Sequence, residues 1–253
     1  MTKILLSGCN GKMGQVISRL VAEDAEAQIV AGLDINTHLQ NPYPVFTNLN
    51  DCNIDADVII DFSHPSVLEP LLAFAVSKNL PVIVATTGLS EEQKNHLQET
   101  ATKIPVFFSA NMSLGINLLI SLAKKAAVLL EEQFDIEIIE KHHNQKIDAP
   151  SGTALAIADG ISEVLKTPAE YVYDRHSVRK KRSKNEIGLH AIRGGTIVGE
   201  HDIIFAGNDE VITLSHSAAS KEVFAVGAIK AAKFMKGKPS GMYNMSDLIA
   251  ATI

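Results

Sequence analysis

The sequence predicts an α/β protein, with a Rossmann-like doubly wound parallel sheet joined to a second α+β domain built on an open mixed sheet. Three observations predict it. Over roughly the first 110 residues, short apolar runs alternate with stretches of helical periodicity. A glycine triplet separates the first run from the first helix. Beyond Phe134 the alternation stops, and strand-like runs follow one another with a single helix among them.

Lys3–Ser7 (KILLS) reads as a buried strand, and Met13, Val16, Ile17, Leu20 and Val21 recur at helical spacing behind the glycine turn. Gln28–Leu33 is the next strand, ending at Asp34, and Asp57–Phe62 another, with Pro65 placed to begin a helix. Pro81–Ala85 and Pro105–Ser109 complete the series, and Ser90 with Gln93 forms a capping box before the helix between them. Short apolar strands alternating with helices imply a parallel sheet covered on both faces, with its ligand crevice beyond the carboxyl ends of the strands.

Ser113 is placed to cap a long helix reaching about Gln133, with Leu118, Leu122, Ala126 and Leu129 as its apolar stripe. Asp135–Lys141 is then a strand, Thr153–Lys166 a helix, and Gly188–Arg193, His201–Ala206 and Val211–His216 further strands. The expected domains are 1–112, 113–220 and 221–253, the last as a C-terminal return to the first domain.

Composition narrows the function. A net charge of −6 gives no reason to expect a nucleic-acid partner. No apolar run approaches the roughly 18 residues that cross a bilayer, so no membrane partner is expected. The opening MTKILLSGCNG reads as a strand rather than a leader, and two cysteines, Cys9 and Cys52, form neither a disulfide framework nor a structural zinc site. A reducing cytoplasm is the expected compartment, and no metal is expected. The basic stretch Arg175–Lys184 has no interleaved aromatic residues and reads as a solvated loop.

Gly8, Gly11 and Gly14 form GxxGxxG after a strand and at the start of a helix, and Asp34 ends the following strand. Glycines let the backbone approach a pyrophosphate, the helix N-terminus favours its charge, and the aspartate accepts bonds from ribose hydroxyls. A nicotinamide dinucleotide is therefore the expected cofactor. Asp34 repels a 2′-phosphate and Ile35 brings no compensating charge, which favours NADH; Lys12 keeps NADPH open.

Glu140–Ala154 (EKHHNQKIDAPSGTA) is the other informative stretch. His142, His143 and Lys146 cluster at a strand end before a Pro-Ser-Gly-Thr helix start. Amides at Gly152 and Thr153, with the Ser151 or Thr153 hydroxyl, suit a carboxylate, and a histidine can deliver a proton near neutral pH. Strand alternation places His142 and His143 on opposite faces unless the strand ends there. The set fits reduction of an anionic, unsaturated substrate.

These residues resemble the 4-hydroxy-tetrahydrodipicolinate reductase family over the whole chain. The likeness rests on Gly8–Gly14 (GCNGKMG), Ile60–Phe62, Ala85–Gly88, Ser109–Met112 and, above all, the run from Glu140 to Ala154. It implies reduction of a small cyclic dicarboxylate by NADH or NADPH with loss of water, on the pathway to lysine and diaminopimelate. In that family's terms His142 donates or accepts the proton, Lys146 is a second proton donor, and His143, Gly152 and Thr153 bind substrate carboxylates. Gly8, Cys9, Asn10, Gly11, Lys12, Met13, Asp34, Ala85, Thr86, Thr87, Ser109, Ala110, Asn111 and Met112 line the cofactor, and the assembly is a homotetramer formed through the second sheet. Lys12, Ile35, Ala85 and Lys221 depart from residues found at those positions in other members of the family. A non-catalytic dinucleotide-binding redox sensor would need the glycine turn but not Lys146 beside His142. A semialdehyde dehydrogenase would leave the Pro-Ser-Gly-Thr segment unexplained.

Overall fold

The computed structural model describes residues 1–252. The elements are, in order, β1 (Thr2–Ser7), α1 (Lys12–Ala22), β2 (Ala27–Leu33), β3 (Val45–Phe46), β4 (Val58–Asp61), α2 (Leu68–Lys78), β5 (Val82–Val84), α3 (Glu91–Ala101) and β6 (Pro105–Phe108). After them come α4 (Leu114–Leu130), β7 (Asp135–His142), α5 (Gly152–Ser162), β8 (Glu170–Val172), β9 (Glu186–Arg193), β10 (Gly199–Ala206) and β11 (Val211–Ala218). The chain ends with α6 (Glu222–Met235), β12 (Gly241–Tyr243) and α7 (Met245–Ala250). Two compact units result, one from Met1–Leu114 with the chain from Glu222 onward, the other Gly115–Lys221.

The first unit is a parallel seven-stranded sheet of order β12-β6-β5-β4-β1-β2-β3. Alternation along each strand sorts side chains to two cores. Ile4, Leu6, Val58, Ile60 and Ile83 pack with Ile17 of α1 and Ala225 and Ala228 of α6. Leu5, Ile59, Val82 and Val84 pack with Leu71 and Leu72 of α2 and Leu97 of α3. Both faces are thus covered, as the apolar strands require. Small residues bring α6 close: a Cβ at Gly227 would lie 1.7 Å from the Met112 carbonyl oxygen. Strand order reverses between β1 and β4, which puts the crevice where Gly8 and Phe62 leave the sheet.

The second unit is a five-stranded mixed sheet of order β11-β10-β7-β9-β8, in which β7 runs antiparallel to β10 and parallel to β9. Both of its helices, α4 and α5, bury their apolar sides on one face, against Ile136, Ile138, Leu189, Ile203 and Phe205. No helix among the described residues is long and apolar enough to cross a membrane.

The stripe expected for α4 is corrected. Its buried residues are Ile116, Leu119, Ala123 and Ala127, whereas Leu118 and Leu122 are 44% exposed and Leu129 is 82% exposed. The real stripe is turned by about one residue, or 100°. Alanines allow close packing against the sheet, and a Cβ at Gly160 of α5 would already sit 3.0 Å from Ile120. A helix apolar on several sides does not reveal its buried face by periodicity. It also stops at Leu130, short of the expected end. Three strands of two or three residues (β3, β8 and β12) and the six-residue α7 had no readable period.

The basic stretch is also not simply solvated. Arg175 bridges Glu186 and Glu137, Arg182 bridges Glu137 and Asp135, and Lys180 and Lys184 pair with Glu186 and Asp135. It neutralises acidic residues of its own sheet. The Arg175 guanidinium and the Ser183 amide hold the Glu186 carboxyl down at about 2.

Candidate active site

In the first unit a cleft of about 1290 Å³ opens at the strand carboxyl ends, lined by Gly8, Asn10, Gly11 and Asp34 among others. The tight turn above it exists because there are no side chains in the way. Gly8 has φ +78°, and a Cβ there would lie 2.6 Å from the Phe62 carbonyl oxygen, while one at Gly14 would lie 2.2 Å from that of Gly8. Gly11 caps α1 without a side-chain bond, and the first turn carries no acid. The positive end of the helix is left for an anion.

Asp34 is fixed by backbone: its Oδ2 accepts from the Asn10 amide at 2.8 Å and its Oδ1 from the Asn36 amide at 2.9 Å. Asn10 also donates from its side chain to the Asn36 carbonyl. With two lone pairs still open, this carboxylate suits ribose hydroxyls. The cradle therefore fits a dinucleotide.

Other positions expected to face the cofactor turn their side chains inward. Cys9 is fully buried against Gly32, and burial, aided by the Asp34 charge, pushes its thiol up to about 11. Thr86 is buried and donates its hydroxyl to Asp61 at 2.6 Å. Ala85 and Met112 are buried, and Met13 packs against the core. These positions offer backbone rather than side chains, because each sits where a strand or helix end meets the core. Lys12, Thr87 and Ala110 are exposed, and Ser109 donates to the Asn111 carbonyl at 2.8 Å. Phe62, Ser63 and His64, which follow β4, line the same cleft, as the strand-end rule expects of the loop that starts at Phe62.

In the second unit β7 ends at His142, so His143 lies beyond the pleat. His142 is 8% exposed and its Nδ1 lies 2.6 Å from Oε2 of Glu140, a fully buried carboxylate. Arg193 on β9 donates to both Glu140 oxygens at 2.7 Å, and the Ser151 amide donates to Oε1 at 3.0 Å. Burial pushes the Glu140 carboxyl up, but the bonds from Arg193, His142 and Ser151 outweigh it and hold it below the ordinary carboxylate value. Lys146 pairs with Asp148 at 3.0 Å.

Ser151 is the N-cap of α5, its hydroxyl accepting from the Ala154 amide at 3.1 Å and lying 3.1 Å from Nε2 of His201. That hydroxyl is buried and engaged, which removes it from the expected carboxylate contacts. Gly152 is open on its outer side, with no atom within 4 Å of a built Cβ, and the first turn of α5 has no acid. Glu140 as a hub, Arg193 and His201 were not singled out from sequence. They converge only through the register that pairs Glu140 with His201 and Ala191.

His201 is 3% exposed, its ring edge-on to His142 at 5.3 Å, and its Nδ1 has no partner among the described residues. Burial, then the His142 charge and that of His216, lower its pKa from 6.5 to about 4 against opposing pulls from Glu140 and Asp202. The native state thus binds fewer protons here than the unfolded chain. The stability due to a neutral His201 is complete above the unfolded value of 6.5 and lost as pH falls to about 4. At about pH 5 the loss is roughly 2 kcal/mol. His201→Asn should flatten the dependence of Tm on pH between about 5 and 7. An unchanged slope contradicts this assignment.

A glycine turn at the switch point of a parallel sheet is how dinucleotide-dependent oxidoreductases hold pyrophosphate, and this chain is of that class. Residues 2–112 match the family model described as dihydrodipicolinate reductase, N-terminus, and residues 115–249 the corresponding C-terminus. The chain belongs to the dihydrodipicolinate reductase family. The 4-hydroxy-tetrahydrodipicolinate reductase of Caldanaerobacter subterraneus is 55% identical over 249 residues, 98% of each chain. That of Clostridium tetani is 52% identical, covering 98% of this chain and 97% of its own. A dipicolinate-bound dihydrodipicolinate reductase from Paenisporosarcina superposes with a TM-score of 0.82 at 25% identity, covering 96% of this chain and 97% of that one.

Proposed function

We propose that this protein reduces 4-hydroxy-tetrahydrodipicolinate to tetrahydrodipicolinate with NADH or NADPH, in lysine and diaminopimelate formation. One hydride and one proton enter, and the 4-hydroxyl leaves as water. The bound nicotinamide supplies the hydride. His142 exchanges the proton at Nε2, since Nδ1 is committed to Glu140. Lys146, 21% exposed and held by Asp148, sits four residues on as a second proton donor. His143, Gly152 and Thr153 take the substrate carboxylates at the open, acid-free start of α5. The observation that carries this reading is the fixing of His142 by one ring nitrogen at a strand end. Gly8–Met13, Asp34, Ala85–Thr87 and Ser109–Met112 hold the dinucleotide, several of them by backbone alone.

The sheet face of the second unit opposite α4 and α5 presents Ile139, Ile192 and Ile204 among charged residues. That surface supports assembly as a homotetramer through this sheet.

Asp34 is anchored by two amides, so it cannot swing away from a 2′-phosphate, and Ile35 beside it is 91% exposed and uncharged. Like charges at about 4 Å in water cost about 1 kcal/mol, or roughly fivefold. The test is kcat/KM with each cofactor on this substrate, NADH being the better by that factor. A preference for NADPH overturns the Asp34 argument and points to Lys12. No turnover with either overturns the reductase reading and leaves a dinucleotide-binding sensor.

A further inference from the structure

We propose that Glu140 is the positioning residue of the proton-exchange step: it sets which nitrogen of His142 carries the fixed proton, and Arg193 holds it to that task. The inference rests on the role given to His142 above and adds the groups that act through it.

The Glu140 carboxylate receives four hydrogen bonds, two at each oxygen. Oε2 takes His142 Nδ1 at 2.6 Å and Arg193 Nη1 at 2.7 Å, and Oε1 takes the Ser151 amide at 3.0 Å and Arg193 Nη2 at 2.7 Å. Three of these four donors can never accept, since neither a guanidinium nor a backbone amide has an acceptor atom. The imidazole alone can do either. With an ionised carboxylate opposite, Nδ1 must carry a hydrogen, and Nε2 becomes the nitrogen that gains or loses the exchanged proton. Arg193 is itself clamped by the carbonyl oxygens of Asp148 and Ile192, at 2.6 and 2.8 Å, so the guanidinium cannot leave the carboxylate easily. Around the imidazole stand Glu140 of its own strand, Arg193 on β9 acting through Glu140, and the His201 ring on β10.

The same carboxylate holds the amide of Ser151, the cap of α5. One buried side chain therefore ties the proton-bearing ring to the helix start assigned to the substrate carboxylates. A pairing of acid and imidazole of this kind governs tautomer as well as orientation.

Glu140→Gln separates this role from a merely structural one. Glutamine has one oxygen and one NH2 where the carboxylate had two acceptors. If the oxygen faced His142, the NH2 would oppose two obligate donors, the Ser151 amide and Arg193 Nη2. With the oxygen on Ser151 it opposes only Arg193 Nη1, and the NH2 donates to His142 Nδ1. The imidazole must then accept at Nδ1 and carry its hydrogen on Nε2, so the tautomer inverts.

The test uses the full chain in three forms, wild type, E140Q and E140Q/R193M, the last removing the guanidinium that glutamine leaves unmatched. Nitrogen-15 NMR of the neutral imidazole, assigned with a His142 variant, should show Nδ1–H in the wild type and Nε2–H in both variants. kcat should fall roughly 100-fold or more, with NADH affinity unchanged and substrate KM little altered because Ser151 keeps its acceptor. Should E140Q not fold, the double variant carries the same expectation. An Nδ1–H ring in the folded variant, an Nε2–H ring in the wild type, or a kcat near wild type overturns the proposal. Absence of turnover by the wild type overturns the reductase reading instead, and the NMR result then stands apart from it.

Discussion

His142→Gln should lower kcat by roughly 10²- to 10⁴-fold, the range that general acid–base catalysis supplies, while the dissociation constant for NADH stays at its wild-type value. Glutamine retains a donor for the Glu140 carboxylate, so the buried hub keeps its hydrogen bonds and the fold is spared the cost of an unpaired carboxylate. What is lost is the ring nitrogen proposed to exchange the proton. The groups proposed to hold the cofactor, the glycine turn and Asp34, lie in the first unit. Stopped-flow or steady-state turnover, paired with an NADH fluorescence titration, separates the two quantities. A variant that binds NADH poorly but turns over at the wild-type rate would contradict the role given to His142.

Gly14→Ala should abolish detectable NADH binding and cost on the order of 3–5 kcal/mol of stability. A Cβ at this position would lie 2.2 Å from the Gly8 carbonyl oxygen and 2.6 Å from the Cys9 carbonyl carbon and oxygen. All of these are backbone atoms. Gly8 cannot retreat, because its carbonyl accepts from the Gly11 amide at 3.1 Å and its own open side faces the Phe62 carbonyl. The turn must therefore open, which displaces the amides proposed to hold a pyrophosphate. Denaturant unfolding followed with an NADH titration checks both halves. Wild-type affinity with an unchanged midpoint would show that the turn has more room than these contacts allow.

Much of this protein is legible along the chain because its signals are local. Ile4, Leu5 and Leu6 form a continuous apolar run because a parallel strand is buried on both faces. Ser90 and Gln93 satisfy each other's backbone three residues apart, and the capping box forms as its spacing demands. The glycine turn and the stretch from His142 to Thr153 are likewise contiguous, so the chemistry proposed for them can be argued before any fold is known.

Other features depend on residues that meet only after folding. Glu140 reads as one more charged residue of a strand, and Arg193 lies 53 positions away; β7–β9 pairing alone makes them a buried ion pair. His201 reaches Ser151 across 50 positions through β10. The basic stretch looks like a solvated loop until Asp135, Glu137 and Glu186 appear beneath it. The leucines of α4 outnumber its alanines, yet Ala123 and Ala127 are buried beside Ile116 and Leu119 while Leu118, Leu122 and Leu129 are exposed, because small side chains allow close approach to the sheet and α5. Sequence by itself determined the main strands and helices, the glycine turn and the contiguous run from His142 to Thr153, since periodicity, capping and backbone access act over a few residues. Tertiary structure alone decided which carboxylate orients His142, which cation balances it and which helix face is buried, since strand register and packing distance join groups that the chain keeps far apart.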